Sequence, residues 1–370
     1  MQSIDKAPQI PVQATPVNTG IAGQSPDGSI IGGGACESFG FASTLIEGTK
    51  QTATVDITRR YSLCDTAACS SAFYAYDLQK IVLDFLDSAE QDFLQPQDED
   101  RLVRKYALRH RHNIPKVQNK LIQLRKNLND QGYAALVPQY LYWPLTAVGS
   151  NEKSQNYGFS DGGTFENTGL LGLLAQTTGD IKAVAFINCE MPLSLAENNT
   201  VIADDQLSRL FGYKGYSELK GRYPSYNGMS PSEPMSYAQL FSDEQGEFAD
   251  LLSQLAKHSS KDNQLGHNIA WAKQQLTTVT NPVAAITAGR NVEVIWVYNT
   301  PVASWQNQIT DPDLIKDLTQ NQDGELENFP NYSTFFQFHL DNYAVNVLAQ
   351  LKAWEVNELY ETITDMLEGK

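Results

Sequence analysis

The sequence has no run of about 20 consecutive apolar residues, the length a helix needs to cross a bilayer, so no transmembrane span is expected. Residues 1–30 lack both a basic start and an apolar stretch, and so do not read as a secretory signal peptide. Cysteine is scarce. Cys36, Cys64, Cys69 and Cys189 are too few to staple 370 residues and form no CxxC pair, which makes a reduced, cytoplasmic setting the default expectation. Positive charge is also in deficit: 27 Lys and Arg face 43 Asp and Glu, giving a net charge of −16. Such a chain is a poor generic binder of nucleic acid unless its cations are segregated. Internal repeats, low-complexity linkers and a clear domain boundary are missing too, so one α/β domain with excursions is the economical expectation.

What is present is the composition of an ordinary globular protein, 41% hydrophobic and 19% charged. Residues 1–30 read as an extended N-terminal segment and residues 31–370 as the α/β domain, with excursions at 95–132 and 195–280. Alternation at 52–57 predicts a short strand, and the spacing of Phe73, Leu78, Ile81, Val82, Phe85 and Leu86 predicts an amphipathic helix over 70–92. Residues 183–187 (AVAFI) and 292–298 (VEVIWVY) are short apolar runs bounded by polar residues. They are the pattern of strands buried on both faces of a largely parallel sheet. A buried helix is predicted over 165–176, a polar, irregular and helical insertion over 195–280, and a helical tail over 332–366.

The cations are indeed segregated. Residues 101–126 hold Arg101, Arg104, Lys105, Arg109, Arg111, Lys116, Lys120, Arg125 and Lys126 and no acid, leaving −25 on the other 344 residues. Val117, Leu121, Leu124 and Leu128 share one helical face behind Pro115, so the stretch reads as a basic amphipathic helix suited to anionic headgroups. A solvated hairpin balancing the acidic remainder is the plainer alternative. Nucleic acid fits less well, because the patch lacks interleaved aromatics. Metal sites are not expected: His110 and His112 flank Arg111, while His258, His267 and His339 have no ligand spacing. Asn321-Gln322-Asp323-Gly324 does not make a calcium loop, since Thr319 and Pro330 fall where Asp and Glu belong. Tyr140, Tyr142 and Trp143, with Trp296 and Trp305, are candidates for core packing or for an acyl pocket. No cofactor is expected.

The most informative motif is Ser160-Asp161-Gly162-Gly163-Thr164-Phe165-Glu166-Asn167, where an Asp before two glycines either caps a helix or is aimed into a cleft. This segment is similar to the D-[SG]-G-x-T-F-x-N sequence of the group IV cytosolic phospholipase A2 family, relatives of the patatin-like lipases. Glu37-Ser38-Phe39-Gly40-Phe41, Ser70-Ser71-Ala72-Phe73 and Phe329-Pro330-Asn331-Tyr332-Ser333-Thr334-Phe335 resemble the same family in order, over roughly residues 16–360. The resemblance implies a three-layer α/β catalytic domain around a mostly parallel sheet. It also implies a hydrolase of phospholipid or lysophospholipid acyl esters with a Ser–Asp dyad, in which Asp161 is the general base and Gly162 and Gly163 shape its turn.

The chain departs from that family at the nucleophile. It contains no GxSxG: Gly215-Tyr216-Ser217-Glu218-Leu219 and Gly23-Gln24-Ser25-Pro26-Asp27 both lack the last glycine. Ser38, behind Gly32-Gly33-Gly34, is the nearest approach, but three residues between Gly34 and Ser38 leave no room for the strand and helix that separate oxyanion loop from elbow. Ser70 and Ser71 read as helix-start caps or core contacts. The expectation is therefore a C-terminal portion whose serine comes from a second polypeptide. The alternatives are a non-catalytic protein at membrane surfaces or bound to a partner, and a self-sufficient hydrolase using Ser38. Peripheral attachment at membranes and an exposed sheet edge that seeks a partner go with the first two.

Overall fold

The computed structural model describes residues 10–24, 32–48, 52–70, 137–143, 154–230, 232–320, 326, 328–332 and 340–369. It is a mixed α/β protein whose chain falls into two compact units, residues 1–165 and 166–370. The boundary lies inside the Ser160–Asn167 motif.

The first unit is built from short antiparallel pairings. Strands β1 (Gln13–Ala14), β2 (Asn18–Gln24) and β3 (Gly32–Glu37) form one sheet. Strands β4 (Thr44–Gly48) and β5 (Ala53–Asp56) form a second, and β6 (Gln139–Tyr142) and β7 (Gln155–Gly158) a third. The alternation at 52–57 thus becomes β5. Gly20 is required by close strand approach, because a Cβ there would lie 2.3 Å from the carbonyl oxygen of Gly34. The rest of the helix expected over 70–92 lies outside the described residues, and helix α1 (Leu63–Ser70) has Ser70 as its last described residue rather than at a helix start. Ser62 and Asp65 start it: the Asp65 carboxylate accepts the Ser62 backbone N–H at 2.8 Å, the reciprocal half of a capping box. The core is aromatic. Phe41 meets Tyr61 edge-on at 5.0 Å and Phe159 at 5.9 Å, and Tyr142 and Ile21 complete the buried set.

The second unit opens with α2 (Leu170–Gln176) and β8 (Ile181–Ile187). The hairpin β9 (Ser194–Leu195) and β10 (Val201–Ile202) follows, then α3 (Asp205–Leu210), α4 (Glu247–Ser259), β11 (Ala270–Thr277) and β12 (Asn291–Tyr298). Helices α5 (Ala303–Gln306), α6 (Pro312–Gln320), α7 (Asn342–Glu358) and α8 (Tyr360–Glu368) end the chain. The helix predicted over 165–176 is shortened because Gly169 has φ +78°, which breaks the backbone before Leu170. Its apolar surround is also incomplete, since Leu173 is exposed while Leu170, Leu171 and Leu174 are buried.

The two apolar runs do become β8 and β12, and they pair in parallel, Ala183 beside Val294 and Ile187 beside Tyr298. The sheet is mixed rather than mostly parallel. Antiparallel β11, from within the stretch expected to be an irregular insertion, adds to the other side of β12, giving the order β11-β12-β8. Central β12 is covered on both faces. Ile295 and Val297 pack with Val347 and Leu351 of α7 and Met366 of α8, whereas Trp296 packs against Phe211 and Phe241 at ring separations of 6.3 Å. Trp296 and Trp305 are therefore core residues.

Candidate functional site

Asp161 sits in the first unit on the turn that follows β7. Its carboxylate accepts the Gly163 N–H at 2.7 Å and starts the single 3-10 turn Gly162–Thr164. The side chain is half-buried, and that burial raises its pKa above the ordinary carboxylate range against the opposing pull of the Gly163 N–H. Neither glycine has positive φ, and a Cβ on Gly162 would meet nothing within 4 Å. Gly162 is exposed, so a side chain there would stand in open space. The α-helix that comes next has its own carboxylate: Glu166 accepts the backbone N–H of Leu171 at 3.2 Å and also both the N–H and hydroxyl of Thr168.

Ser38 begins the 3-10 turn Ser38–Gly40 after β3. Its hydroxyl donates to the Thr15 carbonyl at 2.7 Å and lies 2.9 Å from the Thr19 hydroxyl. Neither partner is a base, and no hydrogen bond joins Ser38 to Asp161. A hydroxyl that gives its proton to a backbone carbonyl is here tying the turn after β3 to the β1–β2 connection, which is a structural use of the residue. Nearby, Thr19, Gly20, Gly34, Cys36, Phe41, Ala42 and Leu141–Trp143 line a cleft with room for about one water molecule. Tyr142 and Trp143 therefore contribute to a packed wall, and burial pushes the Cys36 thiol up to about 11, far from a thiolate nucleophile.

A second acid in the first unit is more heavily engaged. Asp65, 5% exposed, pairs with Arg59, accepts the Ser62 N–H and hydroxyl at 2.8 and 2.7 Å, and accepts the Tyr140 hydroxyl at 3.1 Å. Burial alone would raise its pKa. The bonds from Arg59, Ser62 and Tyr140 outweigh burial and bring it to about 2. The Ser-x-x-Asp spacing carried this signal in the sequence and was not singled out.

In the second unit the polar residues gather at the carboxyl ends of β8 and β12, the place where open α/β sheets ordinarily present ligand-binding groups. Asn331, 4% exposed, donates to the carbonyls of Cys189 and Asn299 at 3.0 and 2.9 Å, and so ties the two strand ends together. Asn299 donates to the Pro330 carbonyl at 2.7 Å and accepts from Lys352 of α7 at 2.8 Å, and Lys352 also bonds buried Glu355 at 3.0 Å. The Phe329-Pro330-Asn331 segment is thus a clamp. The Pro330 carbonyl and the Asn331 side-chain amide are engaged in this clamp, whereas the buried hydroxyl of adjoining Tyr332 has no hydrogen-bond partner among the described residues. Burial raises the Cys189 thiol to about 12, so it is an inert hydrogen-bond partner here.

Arg101, Arg104, Lys105, Arg109, Arg111, Lys116, Lys120, Arg125 and Lys126 lie outside the described residues, as do Ser71, His110, His112 and His339. Among the described residues no three His, Cys, Asp or Glu side chains are grouped to hold a metal, all four cysteines are free, and no helix is long and apolar enough to cross a membrane. No family model, no curated protein and no solved structure matches this chain.

Proposed function

We propose that the chain is one component of a phospholipase A2 or lysophospholipase-like acyl ester hydrolase, with Asp161 as general base toward a serine carried by another polypeptide. In its finer form the reading includes a patatin-like three-layer catalytic domain completed only in the assembly. The observation that carries it is the carboxylate of Asp161, fixed by the Gly163 N–H on a short turn, half-buried, with open space beside Gly162. Asp161 would accept the serine proton as the oxygen attacks the acyl carbonyl, then return it to the departing alcohol oxygen. Water next attacks the acyl-enzyme, giving a proton to Asp161, which passes it to the departing serine oxygen as the fatty acid is released.

The test mixes this chain with the polypeptide of an upstream reading frame that encodes a GxSxG segment. The pair is expected to hydrolyse a phospholipid or lysophospholipid, and Asp161→Asn to lower kcat by about 10²–10⁴. Because burial raises the pKa of Asp161, activity should fall as pH drops through that raised value. An inactive pair, or an unaffected Asp161→Asn pair, overturns the reading. A fluorophosphonate probe should leave the chain alone unlabelled; labelling at Ser38 would establish the self-sufficient alternative instead.

The one-water cleft and the structural use of Ser38 favour a second reading, a non-catalytic protein held at phospholipid surfaces by the cations of residues 101–126. Such binding to anionic vesicles must weaken as salt shortens the screening length. Salt-insensitive or absent sedimentation with vesicles would remove it.

A further inference from the structure

Of the asparagines in the chain, only Asn227 is followed by glycine; every other one precedes a residue that carries a side chain. The pair sits in a bend outside the helices and strands, ahead of the 3-10 helix Pro234–Ala238, and both residues are exposed. Gly228 has φ +78°, a conformation open to glycine, and a Cβ built on it would meet nothing within 4 Å. Among the described residues, neither the Asn227 side-chain amide nor the Gly228 N–H takes part in a hydrogen bond. The backbone is tied on either side of the pair, where the Tyr226 N–H donates to the Gly212 carbonyl at 2.9 Å and the Ser230 N–H to the Ser236 hydroxyl at 2.8 Å. Asn198 is the contrast. It is exposed too, yet its amide donates to the Gly221 carbonyl at 2.8 Å, its oxygen accepts the Thr200 N–H at 3.1 Å, and the residue after it is Asn199.

We infer that Asn227 is a site of self-modification, at which the side chain condenses with the Gly228 backbone nitrogen and water converts the product into aspartate and isoaspartate. Base removes the Gly228 N–H proton, and the nitrogen attacks Cγ of Asn227. The N–Cγ bond forms as the Cγ–Nδ2 bond breaks, the proton is returned to Nδ2, ammonia departs, and a succinimide ring remains. Water then opens the ring at either carbonyl. Breaking the N–Cγ bond leaves an aspartyl side chain, whereas breaking the bond to the main-chain carbonyl carbon leaves isoaspartate, with the chain rerouted through Cγ. One water is consumed, one ammonia is released, and nothing is oxidised or reduced. Glycine matters because a side chain at that position would crowd the attacking nitrogen, and a free N–H matters because a hydrogen-bonded one would be held away from Cγ. Either product adds a negative charge to an already acidic chain, and isoaspartate also inserts a backbone carbon between the ties at Tyr226 and Ser230. Its free α-carboxylate is the substrate class of an isoaspartyl carboxyl methyltransferase. The inference stands whether or not the chain serves a hydrolase.

The experiment incubates the full-length folded chain at neutral and at mildly alkaline pH and follows it by peptide mapping with mass spectrometry, beside the same chain unfolded in urea. A gain of one mass unit at Asn227 is expected, faster at the higher pH, in two chromatographically separate products of which one accepts a methyl group from an isoaspartyl methyltransferase. Because the bend leaves the pair unrestrained, the folded rate should lie within about tenfold of the unfolded one. A folded chain that keeps Asn227 intact while the unfolded chain reacts overturns the inference, since the fold then withholds the pair. Faster loss at any other asparagine of the folded chain overturns it as well. Gly228→Ala should slow the reaction about tenfold, and Asn227→Gln should end it at this position with unchanged far-UV circular dichroism. A mass gain at the original rate in either variant would refute the ring closure.

Discussion

The two edge strands of one sheet, β11 and β8, carry the same number of backbone groups per residue and handle them oppositely. Along β11, the Trp271 carbonyl meets His258 Nδ1 at 2.7 Å, the Lys273 N–H meets Gln254 Oε1 at 3.1 Å, and the Thr277 carbonyl accepts the Ser242 N–H at 3.0 Å. Side chains of α4 thereby act as the missing strand. Along β8 the outer groups have no hydrogen-bond partner among the described residues, and the strand is held from its inner side and its two ends. At the entry, Arg290 donates to the carbonyls of Gly179 and Leu174 at 2.7 and 2.8 Å and to the Thr177 hydroxyl at 2.9 Å, while Asp180 accepts two bonds from Asn291. At the exit, Asn331 bridges the strand ends. The lesson is that an edge can be fixed in place firmly without being closed, and closure is what decides whether it can accept another strand.

Breaking the end clamps should have the largest effect. Arg290→Ala removes three hydrogen bonds and leaves the buried Leu174 carbonyl unpaired, and Asn331→Ala leaves the Cys189 and Asn299 carbonyls unpaired; each should cost about 2–3 kcal/mol in urea unfolding. A loss below ~1 kcal/mol for either would mean that β8 is held by side-chain packing rather than by its ends. Opening the closed edge is the next step. Gln254→Ala and His258→Ala should each cost about 1 kcal/mol, and together they should raise amide exchange along β11 toward that of β8. If exchange along the doubly uncapped β11 is unchanged, capping is not what separates the edges. The smallest effect concerns pH. Hydrogen bonds from the Asn291 side chain and backbone lower the pKa of Asp180, so its contribution is full above the ordinary carboxylate range and is lost as pH falls through the depressed value. Asp180→Asn should flatten that part of the stability–pH curve, and an unchanged curve would refute the assignment.

How much of this was legible depended on whether the signal was local. The runs at 183–187 and 292–298 announced β8 and β12 because a strand covered on both faces can be apolar at nearly every position. Strand β11 was missed for the complementary reason: Ala270, Ala272, Gln274 and Leu276 are buried and alternate with Trp271, Lys273, Gln275 and Thr277, and the run Lys273-Gln274-Gln275 resembles a surface loop until that alternation is counted. The break at Gly169 was visible as a glycine but not as a positive φ. At the candidate site, Asp161 and its turn were readable, and so were both possible uses of the carboxylate. That Ser38 spends its proton on the Thr15 carbonyl was not, because β2 and β3 must pair before those residues meet.

The sequence by itself determined the globular, acidic character, the segregated block of cations, the two apolar strands, and the lack of a GxSxG nucleophile within the chain. These follow from composition and short-range pattern, which no folding step can alter. Only the tertiary structure decided that β11 enters the sheet, that Asn331 and Arg290 secure β8 from its ends, and that β12 rather than β8 takes the central place. Backbone hydrogen-bond direction is set by which strand arrives as neighbour, and that is a property of long-range pairing that no single segment encodes.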